Sequence, residues 1–268
     1  MKKLRPVVKI HGGKYYLSKW IIDAFPQEYE KLSYIEPYCG GASVFMNKVP
    51  SNNIEIINDI SASLMQIYRA LRDEPELFIQ KVKRTTYSER VFIREKNKQG
   101  NVFDDYLKEA LNEYVVRRMS RGGLKEAFAW SDRERGGKPG DLNAWITMAD
   151  HLSLLGDRIK KCYLLNKPAL EIIEVFDSKN SLIYVDPPYD PEARVSKNVY
   201  ENEMTTEDHL KLIELIKTCK SKVVISGYPS AIYRSHLKEW NCIQKKIANH
   251  SSQKKTKPIK TECLWVNY

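Results

Sequence analysis

The stretch from Ser181 to Tyr189 reads SLIYVDPPY, a short β-prone run followed by an acidic, proline-rich turn. An apolar run of this length, ended by turn residues, is typical of a buried strand in an α/β sheet. In open α/β sheets, ligands bind at the carboxyl ends of the strands. The four residues Asp186, Pro187, Pro188 and Tyr189 therefore stand where a ligand-binding turn is expected.

Further strand and helix signals alternate on both sides of this stretch. The predicted strands are residues 33–37, 53–57 and 222–225, with 242–247 and 262–267 as late, antiparallel candidates. Two helical stripes are spaced for one buried face: Leu64, Ile67, Tyr68 and Leu71, and Leu212, Leu215, Ile216 and Cys219. The second helix is expected to begin at Thr205, with Asp208, three residues later, as an imperfect capping box. Alternating strands and helices predict an α/β fold with a parallel sheet.

The middle of the chain has a different character. Residues 73–150 carry mostly helical signals, with one stripe at Leu107, Ala110, Leu111 and Tyr114 and another at Trp145, Met148, Ala149 and Leu152. Between the stripes lies a glycine-rich, charged stretch, residues 120–141. We interpret residues 73–150 as a domain inserted into a sheet domain that is formed by residues 1–72 and 151–268.

Charge and cysteine content narrow the class of protein. Lysine and arginine outnumber aspartate and glutamate by 44 to 34, which gives a net charge of +10 and favours a polyanionic partner or an anionic membrane surface. The sequence has no apolar run of membrane-spanning length and no secretory start, which disfavours the membrane. The 5 cysteines are scattered and form no C-x-x-C pair, so we expect reduced thiols, no metal site and a cytoplasmic protein.

The turn from Asp186 to Tyr189 has the groups that an aromatic amine requires. The amino group of adenine is a poor nucleophile because its lone pair is delocalised into the ring. Hydrogen bonds from that amine to the Asp186 carboxylate and the Pro187 carbonyl would free the lone pair, and Tyr189 can stack on a base rotated out of the duplex. A plain strand-terminating turn is the alternative for these residue types.

A second glycine-containing turn indicates a nucleotide-like cofactor. Residues 34–41, YIEPYCGG, read as a strand running into a turn, and we expect residues 42–49 to follow as a helix. The absence of G-x-G-x-x-G argues against a dinucleotide. Asp59 lies 19 positions after Gly40, where a carboxylate accepts ribose hydroxyls, although Asn58-Asp59 fits a helix cap equally well. Gly12-Gly13-Lys14 is either a simple turn or a site for the carboxylate of a methionine moiety.

Taken together, these motifs resemble the Dam-like family of DNA adenine-N6 methyltransferases. The matching segments, in the order typical of this family, are GGK (residues 12–14), EPYCGGASVFMN (36–47), NDIS (58–61), DPPY (186–189), the helix with His209 and Leu210, and ECLWVNY (262–268). The resemblance implies a Rossmann-like methyltransferase sheet flanked by helices, with residues 73–150 as a mainly helical target-recognition domain. It also implies S-adenosylmethionine as cofactor and the N6 amine of a flipped-out adenine in duplex DNA as target.

The resemblance assigns roles to individual residues. The cofactor contacts that it implies are Ile10, His11, Gly12, Lys14, Glu36, Pro37, Cys39, Gly40, Gly41, Asp59, Ile60 and Asp186. The catalytic turn is Asp186, Pro187, Pro188 and Tyr189. Ile10-His11 departs from the family, in which an aromatic residue and a small one often precede the glycines, so a stacking contribution at that point is in doubt.

Basic residues in two stretches are candidates for DNA contact. They are Arg117, Arg118, Arg121, Lys125, Arg133, Arg135 and Lys138 in the middle of the chain, and Lys254 and Lys255 near its end. A hairpin in the first stretch would read guanine edges, and lysines in the second would contact phosphates. Solvated loops are the alternative for both stretches. We expect no metal, no membrane, and a monomer or weak dimer on DNA.

Other activities require different residues or a different substrate. Cytosine-C5 methylation requires a nucleophilic cysteine, usually after proline, and the sequence has no Pro-Cys dipeptide. Cytosine-N4 methylation uses the same amine chemistry, so mechanism alone leaves it open. Methylation of an RNA or protein amine belongs to the same enzyme class with a different polymer. A DNA-binding protein on the same fold without catalysis is a further alternative, although the turn at Asp186 is intact, and a nicotinamide oxidoreductase is disfavoured by the missing G-x-G-x-x-G.

Overall fold

The chain forms two compact units between which it passes several times. The structure is a computed structural model that describes residues 3–194, 201–248 and 259–268. The first unit comprises Met1–Lys19, Cys39–Lys48 and Ile57–Asn166, and the second comprises Trp20–Tyr38, Val49–Ile56 and Lys167–Tyr268. The predicted insertion, residues 73–150, lies wholly in the first unit, and its role as a target-recognition domain stays a prediction.

Helices make up most of the first unit. They are α2 (Ala62–Asp73), α3 (Pro75–Arg84), α4 (Glu89–Lys96), α5 (Tyr106–Met119) and α6 (Gly140–Ile159). The strands of this unit are β3 (Glu134–Arg135), β4 (Lys138–Pro139) and β5 (Tyr163–Leu165), and β2 (Glu55–Asn58) spans the passage into it. The predicted stripe of α6, from Trp145 to Leu152, is buried, as are Leu107, Ala110 and Tyr114 of α5. Burial of these apolar stripes holds the helices together.

A charged cluster is buried within the helices of the first unit. Glu113 of α5 is fully buried and forms ion pairs with Arg117, one turn later, and with Lys125. Burial raises the pKa of Glu113, but the two cations outweigh burial, so that its pKa lies below its usual value and the carboxylate stays charged.

The second unit is built on a mixed sheet. Its strands are β1 (Ser33–Glu36), β6 (Ser181–Val185), β7 (Lys222–Gly227), β8 (Asn241–Ala248) and β9 (Ile259–Val266), and they lie in the order β1-β6-β7-β9-β8. Its helices are α7 (Ala169–Phe176), α8 (Thr206–Thr218) and α9 (Ala231–His236), and α1 (Ser18–Asp23) spans the passage into this unit. Strands β1, β6 and β7 are parallel, and β9 runs antiparallel to both β7 and β8.

These elements confirm the predicted α/β class and most of the predicted strands. β6 has the predicted limits, and the two late strands are antiparallel. Thr205 and Asp208 form a complete capping box, in which each side chain accepts a hydrogen bond from the backbone N–H of the other residue.

The helix predicted at residues 42–49 is wrong. This segment is a run of hydrogen-bonded turns. Its first residue, Ala42, has a left-handed φ of 50°, which interrupts a right-handed helix at its start. The Asn47 side-chain amide then donates hydrogen bonds to the carbonyls of Ser43 and Leu4. The Ser43 carbonyl therefore accepts from a side chain, whereas in a regular helix it would accept from a backbone N–H.

Residues 3–194, 201–248 and 259–268 contain neither a membrane-spanning helix nor a metal-binding cluster. No helix in these ranges combines the length and the hydropathy that a bilayer-spanning segment requires. No group of three or more histidine, cysteine, aspartate or glutamate side chains there is arranged to hold a metal ion.

Candidate active site

In the second unit, three parallel strands end at the same edge of the sheet. Ile35 of β1 lies opposite Ile183 of β6, and Val185 of β6 lies opposite Ile225 of β7. The residues that follow these positions therefore come together at the carboxyl edge, where α/β folds bind ligands. The turn beginning with Asp186 leaves the central one of these strands.

A chain of hydrogen bonds fixes the Asp186 carboxylate. Ser226, near the end of β7, donates its hydroxyl proton to Asp186 Oδ1 over 2.7 Å. The hydroxyl of Tyr184 lies 3.2 Å from Ser226 Oγ. Burial and the Asp186 carboxylate raise the pKa of Tyr184 well above its usual value, so Tyr184 stays protonated and is the donor to Ser226. The chain of donors thus runs from the sheet interior toward the carboxylate and limits its rotation.

The structure buries Tyr189, the last residue of the turn. Its hydroxyl donates to Glu262 of β9, and burial together with that carboxylate raises the pKa of Tyr189 well above its usual value. The Tyr189 ring packs edge-to-face on Tyr228, with 4.6 Å between the ring centroids. Tyr228 is only half-buried, and Lys260 Nζ lies 4.7 Å from its centroid. The aromatic surface beside the turn is therefore a pair of rings, of which Tyr228 is the more accessible.

Glu36 ends β1 at the same edge. Its side chain is buried and accepts a hydrogen bond of 2.7 Å from the hydroxyl of Tyr34. Pro37 follows it and is also buried. Burial, followed by the Glu36 carboxylate, raises the pKa of Tyr34 well above its usual value. Glu36 is thus held as an acceptor at the strand end.

In the first unit, Asp59 joins the glycine turn to the start of α2. Its Oδ2 accepts the N–H of Gly40 over 2.9 Å, and its Oδ1 accepts the N–H of Ser61 over 3.0 Å. The Gly40 carbonyl accepts the hydroxyl of Tyr68 over 2.6 Å. Gly40 has a φ of +47°, a conformation that favours glycine. The cap residue of α2 is Ser61, so Asp59 organises the turn ahead of the helix without being its cap.

The other predicted cofactor residues of the first unit lie on two turns and at one exposed position. The Gly13 N–H closes a turn on the Ile10 carbonyl, and the buried Lys14 donates from Nζ to the Gly12 carbonyl over 2.8 Å. His11 is half-buried. A Cβ on Gly40 would lie 3.7 Å from Cδ1 of Ile10, which places the two turns side by side. The remaining three residues are Cys39, which is buried, Gly41, where a Cβ would approach Pro6 to 3.2 Å, and Ile60, which is half exposed.

The predicted DNA-binding residues of the first unit separate into a surface set and an interior set. Arg133, Arg135 and Lys138 are exposed and belong to a basic hairpin, residues 133–139, made of β3, β4 and the Gly136-Gly137 turn. Both glycines have positive φ, as a tight type I′ turn requires. Arg121 is also exposed. Lys254 and Lys255 lie outside the described residues.

The interior set consists of Arg117, Arg118 and Lys125. Arg117 and Arg118 are buried, and Arg117 and Lys125 pair with Glu113. Arg118 reaches the Ala144 carbonyl over 3.4 Å. The position of Arg117 and Arg118 explains their difference from the prediction: α5 is buried around its whole circumference at its carboxyl end, so these two cations face protein. Lys125 lies in the loop after α5 and turns inward to pair with Glu113.

Sequence reasoning missed Ser226 and Tyr228. Both had a usable signal, because a strand parallel to β6 brings its own carboxyl end beside Asp186.

Comparison with known proteins gives one family and several relatives. Residues 11–257 match the family described as D12 class N6 adenine-specific DNA methyltransferase. A type II methyltransferase of Lactococcus lactis subsp. cremoris, M1.LlaDCHI, is 23% identical and covers 99% of this chain and 96% of its own length. A DNA adenine methylase of Vibrio cholerae is 27% identical, over 85% of this chain and 83% of its own. The type II methyltransferase M.CviBI of Paramecium bursaria Chlorella virus NC1A is 23% identical, over 83% and 82%.

Proposed function

Because this chain belongs to the D12 class of N6 adenine-specific DNA methyltransferases, we propose that Asp186–Tyr189 is the turn that receives its target base. The chain transfers a methyl group from S-adenosylmethionine to the N6 amine of adenine in DNA. An adenine-specific family removes cytosine-N4 methylation and a purely DNA-binding role from the alternatives. What remains to be assigned is the part that each residue plays.

The observation that carries the assignment is the oriented carboxylate of Asp186. Ser226 donates to one of its oxygens at the carboxyl edge of the sheet, over 2.7 Å, and so orients the carboxylate toward which we propose that the adenine amine points. In our proposal the amine donates one N–H to Asp186 and the other to the Pro187 carbonyl. These two acceptors draw the nitrogen toward tetrahedral geometry and release its lone pair from the ring. Catalysis then rests on positioning and hydrogen bonding.

The base reaches this turn by leaving the duplex. Unstacking costs a few kcal/mol, which stacking on aromatic side chains offsets. Tyr189 and Tyr228 form the aromatic surface beside Asp186, and because Tyr189 is buried, Tyr228 offers most of the exposed face. We therefore add Tyr228 to the predicted base contacts.

The residues of the glycine turn fit the adenosyl part of S-adenosylmethionine. The Asp59 carboxylate, which accepts the N–H groups of Gly40 and Ser61, is proposed to accept a ribose hydroxyl as well. Ile60 and Ile10 supply apolar surface next to that carboxylate and Gly40. Lys14, with its turn, is proposed for the methionine carboxylate, and Glu36 for a further polar contact. When bound, the cofactor supplies the methyl group on a sulfonium centre.

The basic hairpin is the proposed element of DNA recognition. Its three cations, Arg133, Arg135 and Lys138, are exposed on a short two-stranded hairpin, which suits contacts to guanine edges and phosphates in duplex DNA. Arg121 joins this set, whereas Arg117, Arg118 and Lys125 are left out because they serve the protein interior. We propose that the enzyme acts as a monomer or weak dimer, which sedimentation with and without DNA will measure.

The test is methyl transfer from labelled S-adenosylmethionine to duplexes of varied sequence. Asp186→Ala is expected to lose transfer while DNA binding stays within about threefold, because a positioning carboxylate acts mainly on the reacting amine. Asp157→Ala, on the exposed face of α6, is the matched control and is expected to transfer normally. Full activity of Asp186→Ala, or label on a base other than adenine, contradicts the proposal.

A further inference from the structure

Lys260 is a cation beside the aromatic surface of the site, and the proposed mechanism gives it no part. Burial increases along β9 from the exposed Ile259, through the half-buried Lys260, to the buried Glu262. Lys260 therefore lies where the site meets solvent. Alternate residues of a strand share a face, so Lys260 and Glu262 lie on the same face of β9.

That face of β9 contacts both rings of the aromatic surface. Glu262 accepts a hydrogen bond from the hydroxyl of Tyr189, the buried ring. Lys260 Nζ lies 3.4 Å from the hydroxyl oxygen of Tyr228 and 4.7 Å from its ring centroid. One strand thus places an anion against the inner ring and a cation beside the outer ring, which is the ring proposed to receive the flipped base.

The ammonium group of Lys260 has donors to spare. Within residues 3–194, 201–248 and 259–268, its hydrogen bond and its cation–π contact are both with Tyr228. A separation of 3.4 Å is longer than a normal N–H···O hydrogen bond, so this contact engages one donor weakly. A lysine ammonium carries three donors. The others are available to water or to an anionic ligand at the rim of the site.

The anion that accompanies the target base is phosphate. An adenine that leaves the duplex remains bonded to its sugar, so the phosphates on either side of that sugar move with it to the edge of the site. Lysine binds phosphate as a compact point charge. Contacts of this kind fix the position of a nucleotide without reading its sequence. A base stacked on Tyr228 therefore brings a phosphate toward a cation that already lies there.

We propose that Lys260 binds a DNA phosphate adjacent to the flipped adenine and so holds the target nucleotide on Tyr228. This inference rests on the proposed function of the turn from Asp186 to Tyr189. It gives Lys260 no contact with the methyl group and no part in reading the DNA sequence. Lys260 belongs to the same unit as that turn, whereas the basic hairpin belongs to the other unit.

The first experiment measures methyl transfer to duplex DNA by two variants. Lys260→Gln removes the charge and is expected to raise the KM for DNA about tenfold, the size of one hydrogen bond to a charged group, with kcat within about threefold. Lys260→Arg keeps a cation that binds phosphate, so its KM for DNA is expected to stay within about threefold of wild type. The KM for S-adenosylmethionine is expected to change less than about threefold in both variants.

Lys222→Gln is the matched control. Lys222 is exposed at the start of β7, and its Nζ lies 5.4 Å from the ring centroid of Tyr268. The control therefore removes the same charge and the same kind of cation–π contact at the amino edge of the sheet, away from Asp186. It is expected to keep the wild-type KM for DNA. An equal rise in Lys222→Gln and Lys260→Gln overturns the inference, because a change in net charge alone then accounts for both.

The second experiment locates the contact on the DNA. Once the methylated adenine is mapped, each phosphate around it is replaced in turn by an uncharged methylphosphonate. One replacement next to that adenine is expected to weaken binding to wild type about tenfold. The same replacement is expected to weaken binding to Lys260→Gln less than about threefold, because that variant has already lost the contact.

Four results overturn the inference and leave the proposed function standing. They are an unchanged KM for DNA in Lys260→Gln, a rise in the KM for S-adenosylmethionine that exceeds the rise for DNA, a sensitive phosphate that lies away from the target nucleotide, and equal sensitivity of wild type and Lys260→Gln to the methylphosphonate. Failure of the proposed function is recognised separately, because Asp186→Ala itself then remains active.

Discussion

Removing the Ser226 hydroxyl is expected to lower kcat about tenfold. The hydroxyl donates to the Asp186 carboxylate over 2.7 Å, and a hydrogen bond to a charged group contributes about 1.5–3 kcal/mol. Asp186 is half-buried, so water replaces part of the missing bond and the lower figure applies. That figure of about 1.5 kcal/mol corresponds to about a tenfold change in rate. The cause is a less restricted carboxylate that holds the adenine amine less well.

Tyr184→Phe is the graded control for Ser226→Ala. Tyr184 reaches Asp186 only through the Ser226 hydroxyl, and its bond is between neutral groups, so about a two- to tenfold loss in kcat is expected. Single-turnover transfer from labelled S-adenosylmethionine to a duplex measures both variants. If Tyr184→Phe lowers the rate further on the Ser226→Ala background, or if Ser226→Ala keeps the wild-type rate, the hydrogen-bonded chain does not orient the carboxylate.

Three more predictions concern stability and DNA binding. Gly123→Ala is expected to destabilise the protein by about 2–5 kcal/mol in urea unfolding, because φ is +76° and the new Cβ would lie 2.1 Å from the Lys9 carbonyl oxygen. Glu113→Gln is expected to cost about 3–5 kcal/mol at pH 7, because it removes the anion that pairs with the buried Arg117 and the half-buried Lys125. Replacing the three cations of the basic hairpin with glutamine is expected to weaken DNA binding. The slope of log K for DNA binding against the logarithm of the salt concentration, here called the salt slope, is expected to shrink by up to about 0.9 for each phosphate that is no longer neutralised.

Each of these predictions has a control or a contrary outcome. Gly100 has a φ of +83° with open space around it, so Gly100→Ala is expected to cost only about 1–2 kcal/mol, and equal losses of stability at Gly123 and Gly100 would mean that the clash is relieved. The folded-state pKa of Glu113 is depressed, so its stabilisation is present above the usual value of 4.5 and disappears as the pH falls below it. The prediction is contradicted if the difference in free energy of unfolding between wild type and Glu113→Gln stays constant as the pH falls below that value. An unchanged salt slope in the hairpin variant would show that its cations do not bind phosphates.

Local patterns in the sequence determined the elements on which the site stands. The five β-prone residues before Asp186 form a strand of the predicted length, because a buried strand needs only an apolar run and a turn. The capping box at Thr205 and Asp208 is equally local, since both partners lie within one turn of a helix. The DPPY turn is local for the same reason, whereas the family resemblance needed this turn together with the other motifs, such as residues 12–14, 36–47 and 58–61.

Only the tertiary structure decided which side chains surround that turn. Ser226 is 40 residues from Asp186, and Glu262 is 73 residues from Tyr189, so neither pair has a spacing that a local pattern records. Arg117 shows the same limit for charge. The sequence shows only that a cation is present, whereas the structure shows that it is buried and paired with Glu113. Long-range pairing and desolvation depend on the packing of distant segments, and for that reason the sequence alone yields the DPPY turn but not the residues that hold it.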